Sequence, residues 1–270
     1  MLKQRTIVAL ILAPIALLST YLGGVVFAIV ITTMVTIAAW EHTQLLRSAK
    51  LEPSLFLVIG GELLFVLGRY FTGFNSAPWS FTLLLLLSAI YHLIRFERGR
   101  DSAATDFGAT LFAALYAGWL GAYFISLRQL DGGMWWVMFV LFIVWVTDSG
   151  AYFIGSAWGK HKLAPRLSPK KTWEGFWGGV IIGVAGGALL PLLLRNSIDI
   201  SPWNGAVLGI VLALGIPLGD LAVSMVKRQV AQKDSGSIFP GHGGAFDRLD
   251  TLLWAMPISY YIILFVFPIL

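Results

Sequence analysis

The chain is divided by repeated apolar runs of about 20 residues, the length an α-helix needs to cross the hydrocarbon core of a bilayer. No water reaches a backbone N–H or C=O in such a core, so a chain of this kind must close its hydrogen bonds within helices. The runs fall at about 6–22, 24–40, 53–72, 78–96, 106–127, 133–154, 174–195, 203–226 and 251–269. They predict an all-α, polytopic integral membrane protein with about nine transmembrane helices. Gly23-Gly24, Pro53, Pro78, Gly132-Gly133 and Pro202 punctuate the breaks, as helix interruptions do. Trp79, Trp135, Trp136, Trp203 and Trp254 stand near span ends, where interfacial aromatics collect.

Composition agrees. Charged residues make up 12% and apolar ones 57%, whereas soluble domains carry about a quarter charged. Cysteine is absent, which excludes disulfides, thiolate metal sites and cysteine nucleophiles. The opening MLKQRTIVALILAPIALLSTYL has the charge and apolar stretch of a secretory signal. Its small-residue cleavage pattern is weak, so an uncleaved first helix is expected.

With about nine spans, all Lys and Arg except Arg69, Arg128 and Arg195 fall on the side of the N-terminus. That is the positive-inside pattern, and it predicts N-in, C-out. Residues 1–130 then form an N-terminal region of about five spans. Residues 131–270 form a C-terminal region with two long cytoplasmic loops, about 155–173 and 227–250. Both exceed the roughly 2–8 residues that join neighbouring helices.

Glu62, Asp148 and Asp220 sit within or near the ends of apolar helices. A carboxylate there costs several kcal/mol unless it is paired, metal-bound or wetted, about 3 kcal/mol on insertion scales. Glu62, in mid-span, suits a polar-paired packing residue as well as a functional one. On the eighth span Asp220, Ser224, Lys227 and Arg228 are spaced i, i+4, i+7 and i+8, which puts them on one face. Cationic pairs at helix ends also serve as snorkelling anchors, but an acid, a hydroxyl and two cations on one face favour a site.

The loop that follows reads KDSGSIFPGHGGAFDRLD. Gly236, Gly241, Gly243 and Gly244 permit conformations that turn several N–H groups toward one anion. Asp247 and Asp250 are three apart, on one face if they open the last helix. Carboxylates among oxygen donors suit Mg²⁺, which keeps water and bridges phosphates. Lys227, Arg228, Lys233 and Arg248 would neutralise those phosphates. A solvated turn with Asp residues at a helix start accounts for the charges but not for the glycine crowding beside His242. The earlier loop, GSAWGKHKLAPRLSPKKTWEG, is expected to turn at Ser168-Pro169, expose Lys170 and Lys171, and cap the seventh helix with Thr172. Basic loops also bind anionic lipid headgroups; beside the second loop, this one could clamp an anion. Gly175, Gly179, Gly183 and Gly187 make a ridge of strict i+4 spacing for close helix approach, within one protomer or across a homodimer. His92 and Arg95 are expected at the membrane interface.

Ser224 to Asp250 runs Ser, Lys-Arg, four residues, Lys-Asp, a small residue, His-Gly-Gly and Asp-Arg-Leu-Asp. This closely resembles the signature of the phosphatidate cytidylyltransferase family, also called CDP-diacylglycerol synthase, of bacterial type. SPKKTWEG, Ser168 to Gly175, looks like a further block of that family. The resemblance implies a nucleotidyltransferase of phospholipid biosynthesis, making CDP-diacylglycerol and pyrophosphate from CTP and phosphatidate. It implies metal ligation by Asp220 and Asp247, with Asp250 as an outer or additional ligand to Mg²⁺, and leaves room for a second cation. It implies phosphate binding by Lys227, Arg228, Lys233 and Arg248, assisted by Ser224, His242, Gly243 and Gly244. Asp148, Lys170 and Lys171 would contribute from the earlier loop. The expected setting is the inner (plasma) membrane with the site facing the cytoplasm, where a soluble nucleotide meets a lipid phosphate; no nucleic-acid partner is expected.

Two rival classes remain. A transporter or channel would line an ion path with Asp220, Asp148 and Glu62, but it calls for inverted repeats and broken helices, and the chain has no convincing internal repeat. A CTP-dependent polyprenol kinase or a CDP-alcohol phosphotransferase would be another membrane lipid enzyme. The latter presents several Asp on one intramembrane helix, a pattern this chain lacks.

Overall fold

The computed structural model describes residues 2–193, 200–239 and 243–267; Arg195, Gly241 and His242 lie outside them. In chain order the helices are α1 (Leu2–Leu22), α2 (Gly24–Ser48), α3 (Leu55–Thr72), α4 (Ala77–Glu97), α5 (Ala103–Ala113), α6 (Leu120–Arg128) and α7 (Gly133–Trp158). Strands β1 (Lys162–Ala164) and β2 (Ser168–Thr172) precede α8 (Trp173–Leu193), α9 (Pro202–Gln229), α10 (Ala245–Leu249) and α11 (Leu252–Phe265). A 3₁₀ turn at Gly73–Ser76 joins α3 to α4, and a π-helical turn at Ala114–Trp119 joins α5 to α6.

The chain is an all-α polytopic membrane protein. Among the described residues six helical runs are long and apolar enough to cross a bilayer: Gly24–Ser48, Leu55–Glu97, Ala103–Arg128, Gly133–Trp158, Trp173–Leu193 and Pro202–Gln229. The run Leu55–Glu97 is a hairpin, with α4 packed on α3. Backbone geometry explains the breaks. Gly23, Gly24, Gly73 and Gly132 have φ of 63°, 51°, 60° and 66°, values that side chains with a Cβ rarely adopt.

The described chain forms two compact units. The first contains 1–126 and 226–249. In it Glu62 is fully buried and its Oε2 accepts a 2.8 Å hydrogen bond from Thr36 on α2. Gly118, in the π-helical turn, presses on Glu62: a Cβ there would stand 2.6 Å from the Glu62 Cα. Glu62 is thus a paired packing group, consistent with the first of its two readings. His92, expected at the membrane interface, packs inside the protein. It is buried and bonded to Thr110 at 2.8 Å, because α4 turns this face onto α5. Arg95 is partly exposed and paired with Glu52.

The second unit contains 127–225 and 250–270. Its loop folds as a small antiparallel hairpin of β1 and β2. The turn falls at residues 165–167 and not at Ser168-Pro169, which are extended in β2; Pro at a strand start is tolerated because it need not donate. Thr172 caps α8 as expected, its Oγ1 accepting from Gly175 N–H at 3.2 Å. Glu174 ties the loop down through the backbone N–H groups of Lys160 and His161 and the His161 ring. The glycine ridge works within the protomer. Gly175 and Gly179 face Ala151 and Thr147 of α7, while Gly183 and Gly187 face Ala213 and Gly205 of α9.

At Gly187 a Cβ would overlap the Gly205 carbonyl, and backbone cannot swing aside as a side chain can. Gly187→Val should therefore destabilise the detergent-solubilised protein by about 2 kcal/mol, within the range of overpacked cores. Gly60, whose Cβ position is open, should accept Ala with unchanged or slightly raised stability, by up to about 1 kcal/mol. Thermal unfolding read by size exclusion compares the two; equal losses would contradict the ridge.

Candidate functional site

In the first unit, the C-terminal end of α9 presents Lys227, which is 7% exposed, to Asp247 on α10, which is 8% exposed. Lys227 Nζ donates to Asp247 Oδ1 at 2.5 Å. Asp247 Oδ2 accepts from Ser235 N at 2.7 Å, Ser235 Oγ at 3.0 Å and Gly244 N at 3.1 Å. Two backbone N–H groups reach one carboxylate because the loop turns back on itself. Gly243 has φ 77°, and Phe239 N–H bonds to its carbonyl at 3.0 Å. A Cβ on Gly243 would also stand 2.5 Å from Asp247 Oδ2, so that glycine serves both the turn and the close approach.

Burial pushes the Asp247 carboxyl up, but the hydrogen bond and charge of Lys227 and the Ser235 and Gly244 N–H groups outweigh it. The group is held below the usual carboxylate range.

In the second unit, Asp220 on α9 accepts from Ser224 Oγ one turn later, at 3.2 Å. Lys171, near the end of β2, makes an ion pair with the other Asp220 oxygen. Both side chains are 28% exposed, so solvent reaches this pair. A Cβ at Gly219 would stand 2.6 Å from the Asp250 carbonyl oxygen, which puts the start of the last segment against α9 beside Asp220. Asp250 itself accepts from Thr251 N at 2.7 Å.

The structure thus brings Lys227 to Asp247 and, separately, Lys171 and Ser224 to Asp220. Arg228, Lys233, Arg248, Lys170 and Asp148 stand exposed on their elements, and Arg228 donates to the Gln232 carbonyl at 2.9 Å. Among the described residues no three acid or His side chains converge on one point. Asp247 has most of its acceptor capacity taken by protein donors. Asp220 is partly exposed and carries one hydroxyl and one partly exposed ammonium, a setting that a Mg²⁺ ion held by one or two carboxylates and completed by water and phosphate oxygens would fit.

Glu41 escaped the sequence reading. It is fully buried in α2, and its Oε2 accepts from Ser235 Oγ at 2.8 Å and Phe246 N at 2.9 Å. His42 stacks on Phe246, with ring centroids 4.6 Å apart. The available signal was Trp40-Glu41-His42 at the end of an apolar run, which reads equally as an interfacial cluster.

Because the folded Asp247 carboxyl titrates below its unfolded value, its stabilisation is fully present above about pH 3.9, the ordinary Asp value. It is lost as pH falls through the lower folded value. Asp247→Asn leaves Lys227 buried without its counter-charge and should cost about 3 kcal/mol at neutral pH. The gap between wild type and variant should close as pH drops below about 4. Thermal midpoints across a pH series measure this; a gap that stays constant would refute the coupling.

Residues 3–266 match the model of a family described as the cytidylyltransferase family. A protein of Bacillus subtilis (strain 168) named phosphatidate cytidylyltransferase is 36% identical over 268 residues, covering 97% of each chain. Proteins of the same name are 37% identical in Brucella suis biovar 1 (96% of this chain, 92% of the relative) and 32% identical in Mycobacterium bovis (90% and 81%). With a match across nearly the whole chain, and with the signature loop folded around Asp247, the chain belongs to the cytidylyltransferase family.

Proposed function

We propose that this protein transfers the cytidylyl group of CTP to phosphatidate, giving CDP-diacylglycerol and pyrophosphate. The observation that carries the reading is the Lys227–Asp247 pair set in a glycine-lined loop, in a chain alike along its length to proteins named phosphatidate cytidylyltransferase. A phosphatidate oxygen attacks the α-phosphorus of CTP in line, and the bond to the β-phosphate breaks as pyrophosphate leaves. The nucleophile is already an anionic phosphate oxygen, so positioning and charge stabilisation carry the rate.

Asp220, whose carboxylate is partly exposed, would hold Mg²⁺; Asp247 and Asp250 are the further carboxylates that the family signature offers, and Asp247 would have to release protein donors to serve. When bound, the ion neutralises phosphate charge and favours pyrophosphate as a leaving group. Arg228, Lys233 and Arg248, exposed on their elements, hold phosphate oxygens, and Lys227, sealed against Asp247, adds its charge from the end of α9. Lys171, partly exposed beside Asp220, would pass from that carboxylate to an incoming phosphate, and Lys170 extends the same basic strand. Ser224, His242, Gly243 and Gly244 orient the nucleotide, and Asp148 assists from α7. Glu62, sealed and bonded to Thr36, lines no open path, which weighs against an ion channel. The lipid substrate is drawn from the membrane in which the helices lie. The distribution of Lys and Arg favours the cytoplasmic face of the plasma membrane for the two loops.

Purified protein supplied with CTP, phosphatidate and Mg²⁺ should release pyrophosphate and form CDP-diacylglycerol; a folded sample that does neither would sink the assignment. Asp220→Asn and Asp247→Asn should each lower kcat by about a hundredfold or more, and a variant that keeps its turnover removes that residue from the site. The chain lacks cysteine, so single cysteines report topology directly. Arg166→Cys should react with an impermeant maleimide only from the cytoplasmic side, and Arg128→Cys only from the opposite side; the reverse pattern would overturn the orientation.

A further inference from the structure

Glu41 is an acid without exposure in a helix that crosses the membrane. A buried carboxylate is costly unless it is hydrogen-bonded, and an apolar residue of similar volume would pack without that cost. Among the described residues, both hydrogen bonds of Glu41 go to the signature loop. Ser235 Oγ comes from its first arm, and Phe246 N–H comes from the first turn of α10 on its second.

The same carboxylate explains two of the loop glycines. A Cβ at Gly236 or Gly244 would overlap the Glu41 carboxyl group. Glu41 therefore fills the space between the two arms. His42, the next residue, stacks on Phe246, so consecutive side chains of α2 grip α10 by a hydrogen bond and a ring face.

The link to Asp247 is short. Ser235 Oγ lies 2.8 Å from Glu41 Oε2 and 3.0 Å from Asp247 Oδ2. Ser235 N and Gly244 N, the backbone donors that aim Asp247, belong to the segments held by Glu41. Were the arms to part, Asp247 would lose those donors and keep only its bond to Lys227.

We infer that Glu41 is a positioning residue for cytidylyl transfer: by clamping Ser235 to Phe246 it fixes the aim of the Asp247 carboxylate. The inference rests on the cytidylyl-transfer reading. It requires geometry more than charge, because an amide oxygen at the same place accepts the same two bonds.

The test is steady-state kinetics of the detergent-solubilised full-length chain with CTP, phosphatidate and Mg²⁺, beside thermal unfolding of each variant. Glu41→Asp, which keeps the charge but retracts the carboxyl group, should lower kcat by about a hundredfold, as a misplacement of about 1 Å can. Its KM for CTP should stay within about threefold, because Glu41 itself touches no substrate. Glu41→Gln should recover kcat to within about tenfold of wild type, since it restores the reach. Ser235→Ala, which removes the bridging hydroxyl and keeps the Glu41–Phe246 bond, should fall between the two. An active wild type with Glu41→Asp at full kcat, or with Gln no better than Asp, overturns the inference alone. So does a loss expressed in KM for CTP with kcat intact. An inactive wild type overturns the cytidylyl-transfer reading and this inference with it.

Discussion

A bilayer core offers no water to an unpaired backbone N–H or C=O, and this constraint orders the rest of the molecule. Long stretches must be helical, and irregular backbone is confined to segments that find protein donors and acceptors. Gly243, Gly244 and Ser235 occur where the chain leaves α9, and their N–H and C=O groups turn onto Asp247 and Phe239. The π-helical turn at Ala114–Trp119 is an internal exception, and it brings Gly118 against Glu62. In each case irregular backbone carries a glycine close against an acidic residue.

Charges follow the same economy. Lys227 and Asp247 are both nearly sealed, and each makes the burial of the other tolerable; the backbone donors then tilt the balance toward the ionised acid. Lys171 and Asp220 form a pair with more solvent around it. For a reaction between a triphosphate and a lipid phosphate, the distinction matters. A sealed pair keeps its geometry, whereas an open pair can exchange a partner for an incoming anion at small cost.

Part of the candidate site was legible because its residues lie close together in the chain. Asp220, Ser224 and Lys227 share one helix, so spacing alone relates them. The Gly-Gly before Asp247 announced a backbone that could turn its N–H groups. Thr172 as a cap and the glycine ridge of α8 were readable for the same reason, since each depends on local geometry. Other features were not local. His92 turned inward onto Thr110, the hairpin turned at residues 165–167, and Lys171 took Asp220 as its partner. Nothing in the spacing of those residues distinguishes an interfacial side chain from a paired one.

Glu41 marks the boundary most clearly. Periodicity and hydropathy by themselves determined the class of the protein, an all-α membrane chain whose apolar helices are joined by polar loops, because this follows from how each short segment meets lipid or water. That Glu41 stands between Ser235 and Phe246, about two hundred residues further along the chain, was decided only by the packing of α10 on α2. A carboxylate at the end of an apolar run can be solvated, paired or buried, and which of these it is depends on the surface that the rest of the fold brings against it.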